Sequence, residues 1–318
     1  MGLNFWQDLP RPILALAPMA GYTDSAFRQL IKFLAPQAIV FSEFASADGL
    51  KFGSQKTQGL LQFSPKEQPF VVQIFGKRPD NFAEAAKLIE SLGAAGVDLN
   101  FGCPARKVVN SDHGSALLKN PGLAEQIIRA TVRAVKIPVS VKMRLGVQNA
   151  HNLLTFSKMV EGAGASLLTI HGRTAQQKYT GRADYEPIYQ VAQNLKIPVL
   201  GNGDITTVRD FQGCLGNLAG LMVGRAVLMN PWLMRAIKNF LQGKGSRLPR
   251  SLKAKWPLIQ RQAKLMVRTK GERLGMREMR KFLVNYVRGY PQAKSFRARL
   301  VQVETLAELR GILAVGYW

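Results

Sequence analysis

The 318-residue sequence contains only two cysteines and three histidines. Two thiols, Cys103 and Cys214, exclude a disulfide framework, and so few histidines argue against a zinc site, so we expect no bound metal and a reducing compartment. No stretch approaches the about 20 consecutive apolar residues that a membrane helix needs. The first residues also lack the charged start, apolar run and cleavage site of a secretory signal. We expect a cytoplasmic protein without membrane contact, and a monomer.

Acidic residues are scarce relative to basic ones. The chain has 20 Asp and Glu against 44 Lys and Arg, which leaves a formal net charge of +24. Residues 231–318 hold 20 basic and 4 acidic residues, a balance of +16, whereas residues 1–230 contribute +8. A solvated surface or a generally basic proteome would not concentrate the excess so unevenly. The charge therefore indicates a polyanionic partner, bound mainly by the last quarter of the chain.

Short apolar runs recur through residues 13–223. They are four to six residues long, mostly rich in β-branched residues and unbroken rather than alternating, as is typical of strands covered on both faces. The eight runs are ILALA at 13, AIVFS at 38, FVVQI at 70, VDLN at 97, PVSVKM at 138, LLTIH at 167, PVLGN at 198 and GLMVG at 220. Helix-length stretches lie between them, among them Asp80–Leu92, Ala124–Val135 and Leu153–Glu161.

Strand followed by helix, eight times over, predicts an α/β fold of the (β/α)8 TIM-barrel type. The alternative is an open doubly wound sheet. Such a sheet would require a GxGxxG fingerprint after the first strand, and ILALAPMAGYTD contains none. The barrel is therefore the preferred interpretation.

A change of composition follows the last run. The stretch QGKGSRLPR at 242–250 is rich in Gly, Ser, Pro and basic residues. Beyond it, Trp256–Lys270 and Arg277–Val287 place apolar residues at spacings of three and four, which predicts helices. We therefore predict a catalytic barrel over residues 1–240 and a small, basic, all-helical domain over residues 241–318.

The ends of the predicted strands carry unusually many polar residues. In barrels of this type the active site lies at the carboxyl ends of the strands. The candidates are Ala17-Pro18-Met19 after the first strand, Gln73 in the third, Asn100 and Cys103 at the fourth, Lys142 in the fifth, His171 and Arg173 at the sixth, Asn202-Gly203-Asp204 at the seventh and Gly224-Arg225 at the eighth. Each has a plainer alternative. Gln73 and His171 can be satisfied core residues, and the glycines can simply make turns.

Taken together, the candidates suggest a phosphorylated planar cofactor laid across the barrel mouth. Backbone amides after strands seven and eight commonly form a phosphate cup in this fold, and Arg225 adds a cation. Lys142 would stabilise negative charge on a reduced ring, as expected for FMN. Cys103 would then face the substrate, where a thiol can donate a proton or attack as a thiolate. Cys214, away from any strand end, is interpreted as a small buried hydrophobe.

At this point the sequence resembles a known family. The segments APMAGYTDSAFR, VDLNFGCPARKV, HGRT, NGDI and VGRA are similar to those of the tRNA-dihydrouridine synthases, and to the bacterial B-type members in particular. The resemblance covers nearly the whole chain and includes MRKFLVNY at 279–286, which is similar to the family's RNA-binding helical domain. NFGCPA together with HGRT is specific, whereas GNGD is shared with other flavin barrels.

The resemblance implies an FMN-dependent oxidoreductase that reduces particular uridines of the tRNA D-loop to 5,6-dihydrouridine, with NADPH as the reductant. Cys103 matches the family's general acid, which protonates uracil C5 while a hydride reaches C6. Asn100 and Arg173 are expected at the uracil or its phosphate. The residues implied to hold FMN are Ala17, Pro18, Met19, Gln73, Lys142, His171, Asn202, Gly203, Asp204, Gly224 and Arg225.

The basic helical domain is expected to hold the rest of the tRNA, because a uridine must be swung out of folded RNA to reach a barrel mouth. Tyr286 and Tyr290 can stack on bases or simply pack. The candidates for phosphate contacts are Arg280, Lys281, Arg288, Lys294, Arg297 and Arg299. Two rival functions remain open: a small-molecule flavin dehydrogenase of the dihydroorotate type, and an RNA-binding flavoprotein without catalysis. The +16 appendage disfavours the first, and Cys103 disfavours the second.

Overall fold

A computed structural model describes residues 4–105, 112–245, 248–249, 251–289 and 293–314. Each predicted apolar run forms a parallel strand, and the eight strands close into a barrel, because β8 pairs with β1. Their bounds are β1 Ile13–Leu16, β2 Ile39–Phe41, β3 Phe70–Phe75, β4 Gly96–Phe101, β5 Val139–Arg144, β6 Leu167–His171, β7 Val199–Asn202 and β8 Gly220–Val223. A further two-residue strand, Ala45–Ser46, pairs with β3 beyond the end of β2. The (β/α)8 prediction is confirmed.

Gly220 explains why the barrel can close tightly. It pairs with Ile13 in the β8–β1 register, and a Cβ at this position would overlap the Ile13 backbone. Glycine is therefore required by close approach of two strands rather than by a turn.

The barrel is lined by an apolar cluster and by a group of buried polar side chains. Apolar side chains of β1, β2, β3, β6, β7 and β8 form one buried cluster, and Trp6 of the short first helix packs with it. The Trp6 ring lies 6.3 Å from that of Phe41. Strands β3 to β7 also carry buried polar side chains, which include Gln73, Asp98, Ser140, Thr169 and Asn202.

Helices surround the barrel. Those in the described part of the first 241 residues are α1 Phe5–Asp8, α2 Ser25–Leu34, α3 Ala47–Lys51, α4 Gln55–Gly59, α5 Pro79–Ser91, α6 Pro121–Ala134, α7 Leu153–Gly162, α8 Glu186–Asn194, α9 Val208–Leu215, α10 Ala226–Met229 and α11 Trp232–Leu241, with 3₁₀ turns at Pro65–Glu67 and Gly114–Lys119. None of the helices in the described ranges is long and apolar enough to cross a membrane.

The rest of the described chain is helical, as predicted. Its elements are α12 Leu252–Lys270, α13 Glu272–Tyr286, α14 Ala293–Leu300 and α15 Leu306–Ala314. These helices pack on α2 of the barrel: the Phe282 ring stacks on Phe27 at 5.2 Å, and Lys270 Nζ donates to Asp24 at 2.5 Å. Buried side chains of both parts belong to one continuous apolar core. The division of the chain between residues 240 and 241 stays a prediction.

A buried ion pair fixes α2 against the turn that precedes β3. Arg28 Nε donates to Glu67 Oε2 at 2.6 Å, and the two side chains are 1% and 0% exposed. The Arg28 guanidinium also donates to the carbonyls of Thr23 and Gln62 and lies 4.4 Å from the centre of the Phe70 ring. Every polar group of the pair is therefore partnered, as burial of charge demands.

We expect Glu67→Gln to lower the free energy of unfolding by about 3 to 5 kcal/mol, because it leaves the Arg28 charge buried without a counter-charge. The measurement is denaturant unfolding followed by circular dichroism. Glu125→Gln is the matched control, since Glu125 pairs with Arg129 on the surface of α6, and we expect it to cost less than about 1 kcal/mol. Equal losses in the two variants would contradict the assignment.

Candidate active site

The residues that the sequence singles out on the barrel meet at one mouth, formed by the carboxyl ends of the strands and the loops that follow. Asn100 of β4 stands opposite Lys142 of β5, and His171 of β6 stands opposite Asn202 of β7. The others follow in the adjoining positions: Ala17, Pro18 and Met19 after β1, Gln73 in β3, Cys103 after β4, Arg173 after β6, Gly203 and Asp204 after β7, and Gly224 and Arg225 after β8. What they bind stays a prediction.

A chain of hydrogen bonds runs from the barrel interior to the turn that carries Cys103. Gln73 Nε2 donates to Asp98 at 2.6 Å, and Gln73 Oε1 accepts from Asn100 Nδ2 at 2.8 Å. Asn100 Oδ1 in turn accepts from the backbone N–H groups of Gly102 and Cys103 at 3.1 and 2.9 Å. The chain orients both amides and holds the Cys103 turn against the end of β4.

Asp98 begins this chain and is fully buried. It accepts from Gln73 and from Ser140 Oγ, the latter at 2.6 Å. Burial raises the pKa of Asp98 to about 6, although both hydrogen bonds and the charge of Lys142 act in the opposite direction. Sequence reasoning missed Asp98, although an acidic residue inside the VDLN run is a signal of the same kind as Lys142 inside VSVKM.

Lys142 lies beside Asn202 at the centre of the mouth. Its Nζ donates to Asn202 Oδ1 at 3.1 Å, and Asn202 Nδ2 donates to the Met222 carbonyl at 2.7 Å, which fixes the amide. Burial, together with the positive charge of Arg144, lowers the pKa of Lys142 to about 8. The buried hydroxyl of Thr169, its register neighbour on β6, has no hydrogen-bond partner within the described part of the chain. Donors of Lys142 and Thr169 therefore remain for a ligand.

His171 is neutral. Burial lowers the pKa of its imidazole to about 2, and the charges of Lys142, Arg144, Arg173 and Arg225 act in the same direction. Four cations thus lie near one ring, and the carboxylates at the carboxyl ends of the strands include those of Glu43, Asp98 and Asp204. The mouth is electropositive and suits an anionic ligand.

The Cys103 thiol is half-buried at the mouth. Burial raises the pKa of the thiol, and the Ala105 N–H and the charges of Arg144 and Lys142 act against that rise. The thiol is therefore protonated at neutral pH, which favours a proton donor over a nucleophile. The same cations stand ready to stabilise the thiolate that remains after the proton has left.

Arg144, a second residue that sequence reasoning missed, joins two loops of the mouth. It ends β5 and is buried. Its Nε donates to the Gly102 carbonyl at 2.8 Å, next to Cys103. Its Nη1 donates to the carbonyls of Thr174 and Lys178 at 3.0 and 2.8 Å. Arg144 therefore holds the Cys103 turn and the loop after β6 in a fixed relation.

Arg173 is turned inward. It is 2% exposed, and its Nη2 donates to both carboxylate oxygens of Asp204 at 2.7 Å. Although burial opposes ionisation of Asp204, the hydrogen bonds from Arg173 and from the Ala183 N–H hold the pKa of its carboxyl below the usual range. The Asp204 carboxylate is thus occupied by Arg173 and by the Ala183 N–H. A direct contact of Arg173 with substrate stays a prediction.

The turn after β7 needs glycine. Gly203 has φ +126°, and a Cβ there would come within 2.7 Å of the Ala183 Cβ and 3.0 Å of the His171 ring. Asp204 follows with φ 51°. After β8, a Cβ on Gly224 would make only ordinary contact with Ala17, at 3.6 Å. The two turns leave backbone N–H groups near the exposed guanidinium of Arg225, an arrangement that can hold a phosphate.

The candidates of the helical region have different surroundings. Arg280 donates to the carbonyls of Val303 and Gln302 at 2.8 and 3.1 Å, so much of its guanidinium serves the fold. Lys281 lies 5.4 Å from the centre of the Tyr22 ring, close to the loop after β1. Arg288, Lys294 and Arg299 are exposed, and Arg297 is half-buried. Tyr286 is buried and bonded to Gln262, and Tyr290 lies outside the described residues.

No cluster of three or more His, Cys, Asp and Glu side chains suited to a metal occurs within the described ranges. The donors at the mouth are instead amides, hydroxyls and cations, which are partners for an anionic organic ligand rather than for a metal.

Comparison with known proteins gives a consistent result. A family model described as "Dihydrouridine synthase (Dus)" matches residues 15–315. A "Probable tRNA-dihydrouridine synthase 1" of Synechocystis sp. is 37% identical over 300 residues, which cover 93% of this chain and 84% of the relative. A "Probable tRNA-dihydrouridine synthase" of Rickettsia bellii is 39% identical over 287 residues, covering 89% and 88%. The "tRNA-dihydrouridine synthase B" of Pseudomonas aeruginosa is 38% identical over 300 residues, covering 92% and 88%.

Proposed function

The chain belongs to the dihydrouridine synthase family and is an oxidoreductase, and we propose that it reduces uridines of the tRNA D-loop to 5,6-dihydrouridine with FMN and NADPH. The observation that carries the proposal is the protonated thiol of Cys103 at an electropositive barrel mouth. The names of the relatives support tRNA as the substrate. The strongly basic helical region supports it as well, because a small-molecule dehydrogenase would have no use for that charge.

The residues at the mouth fit FMN. Lys142 and the unpartnered hydroxyl of Thr169 offer hydrogen-bond donors to the edge of a ring. The turns containing Gly203 and Gly224, with Arg225, offer backbone N–H groups and a cation to its phosphate. The small residues Ala17, Pro18 and Met19 would lie against the ring. Gln73 and His171 are held in place for contacts with its polar edges.

When bound, FMN supplies the hydride that is added to uracil C6, and NADPH replaces that hydride. The Lys142 ammonium, held by Asn202, would stabilise the negative charge of the reduced cofactor. The neutral imidazole of His171 adds no further charge to this site. The chain's own residues thus bind, orient and electrostatically stabilise the reactants.

Cys103 completes the reduction. Addition of hydride at C6 leaves negative charge that reaches C5, and the Sγ–H of Cys103 donates a proton there, so that one hydride and one proton saturate the double bond. Asn100 holds the backbone of the Cys103 turn through Oδ1. Its Nδ2 has a second hydrogen for the edge of the uracil. Arg144 and Lys142 stabilise the thiolate until a proton from solvent restores the thiol.

We expect Cys103→Ala to retain FMN and to oxidise NADPH at the wild-type rate, but to lose most dihydrouridine formation, because only the second half-reaction needs a proton at C5. NADPH oxidation is followed by absorbance, and dihydrouridine in unmodified tRNA transcripts by mass spectrometry of nucleosides. Cys214→Ala, in α9, is the control and should behave as wild type. Undiminished dihydrouridine formation in Cys103→Ala would assign the proton to another group.

We expect FMN affinity to fall as the pH rises above about 8, because Lys142 then loses the proton that pairs with the cofactor. A single linked proton limits the fall to about tenfold per pH unit. FMN dissociation constants between pH 7 and 9.5 are measured by quenching of flavin fluorescence. In Lys142→Met the affinity should be low throughout and the pH dependence should disappear. Parallel curves for the two proteins would remove Lys142 from the cofactor site.

We expect Arg288→Ala combined with Lys294→Ala to weaken tRNA binding and to make it less dependent on salt, since both side chains are exposed in the helical region. The slope of log K against log salt should become shallower by about 0.7 to 0.9 for each phosphate that the variant no longer binds. Lys136→Ala with Lys196→Ala is the matched control, because these exposed lysines precede β5 and β7 at the far end of the barrel. An equal change of slope in both pairs would indicate a general charge effect.

A further inference from the structure

Tyr179 is an exposed aromatic residue at the barrel mouth that the mechanism above does not use. It lies between β6 and α8, and 54% of its surface is exposed. We propose that Tyr179 is a further substrate-binding residue, whose ring stacks on a base of the RNA next to the uridine that is reduced. The proposal rests on the proposed function, since it requires RNA at the mouth.

The loop that carries Tyr179 is held on both sides by buried arginines. Arg144 donates to the carbonyls of Thr174 and Lys178, which precede Tyr179. Arg173 donates to the carbonyls of Thr180 and Gly181, which follow it, at 3.0 and 2.7 Å. A loop that served only as a connection would not need two buried cations on four of its carbonyls.

The backbone is strained directly before the ring. Lys178 has φ 51°, in the left-handed region that residues with a side chain rarely adopt. Such strain persists only where surrounding contacts enforce it, and the Arg144 hydrogen bond to the Lys178 carbonyl is such a contact. The segment around Tyr179 is therefore held by several hydrogen bonds and contains a strained residue, although the Tyr179 side chain itself is half exposed.

Positive charge surrounds the ring. The Arg225 guanidinium lies 4.4 Å and that of Arg144 5.5 Å from the ring centre, and the His171 ring lies 6.4 Å away. An exposed aromatic ring beside arginines is a combination that binds unpaired nucleotides, because the ring stacks on a base and the guanidinium groups add cation–π contacts. Tyr179 thus has the surroundings of a nucleotide-binding residue and lies beside Arg144, which also anchors the turn of the catalytic thiol.

The reaction indicates which nucleobase would stack on Tyr179. A uridine that enters a barrel mouth leaves its stack, so the bases beside it lose a stacking partner. An aromatic ring on the rim can replace that partner without reading its identity, since every base has a π-face. Tyr179 would then stabilise the RNA only in the conformation that delivers the uridine.

The test is steady-state kinetics of the FMN-loaded full-length enzyme on unmodified tRNA transcripts. We expect Tyr179→Ala to raise the KM for tRNA by about 10- to 100-fold, the usual cost of removing one base stack. The KM for NADPH and the FMN content should remain at wild-type values. Tyr179→Phe and Tyr179→Trp keep a ring and should keep the low KM, whereas Tyr179→Leu, which keeps only apolar bulk, should resemble the alanine variant.

Phe33→Ala is the matched control. Phe33 is 53% exposed and has the Arg261 guanidinium 3.8 Å from its ring centre, so it presents the same pair of groups. It lies near the end of α2, at the opposite end of the barrel from the mouth. Its substitution should leave the KM for tRNA unchanged.

Three results would overturn the inference. An unchanged KM for tRNA in Tyr179→Ala would show that the ring binds no base. A raised KM for NADPH alone would assign the ring to the reductant. Loss of FMN would show that the ring only supports Arg225 in the cofactor site. Absence of dihydrouridine in tRNA treated with the wild-type enzyme would instead refute the proposed function, so the two failures are distinguishable.

Discussion

Buried positive charge at the carboxyl ends of the strands is the constraint on which the mouth depends. Cations withdrawn from water must find acceptors, and Arg144 and Arg173 find them in the carbonyls of the loop after β6. That loop therefore takes its shape from the charges beneath it. Burial keeps His171 neutral, and the same charges act in the same direction. The conformation of the rim and the positive charge of the mouth therefore have one electrostatic origin.

The barrel and the location of its mouth could be predicted because the responsible signals are local. Both faces of each strand are covered, so the strands consist mainly of apolar residues, as in FVVQI at Phe70. A polar residue inside such a run must face the barrel interior or lie at a strand end. Helix ends were less predictable. The helix predicted from Trp256 begins at Leu252, because Ser251 caps it with a side-chain hydrogen bond that apolar spacing does not reveal.

The partners of individual side chains could not be predicted, because they depend on which loops converge. The resemblance in the HGRT segment implies that Arg173 contacts the uracil or its phosphate. In the fold its guanidinium binds the carboxylate of Asp204, 31 residues away. Arg280 serves carbonyls of a later segment, and Tyr286, expected either to stack or to pack, is fully buried. Tyr179 carried no signal at all, since an isolated tyrosine in a polar loop becomes notable only when two guanidinium groups surround it.

Asp98 has a consequence for how the reactive turn is organised. An ionised carboxylate can only accept hydrogen bonds, whereas an amide can present either its oxygen or its nitrogen to a neighbour. With Asp98 at one end, Gln73 must present its nitrogen inward and its oxygen outward, and Asn100 must do the same, so that an oxygen faces the Cys103 N–H. The carboxylate thereby orients every hydrogen bond of this series in the same direction. The amides of Gln73 and Asn100, which could each face either way, are oriented by a charge that lies three hydrogen bonds from the Cys103 backbone.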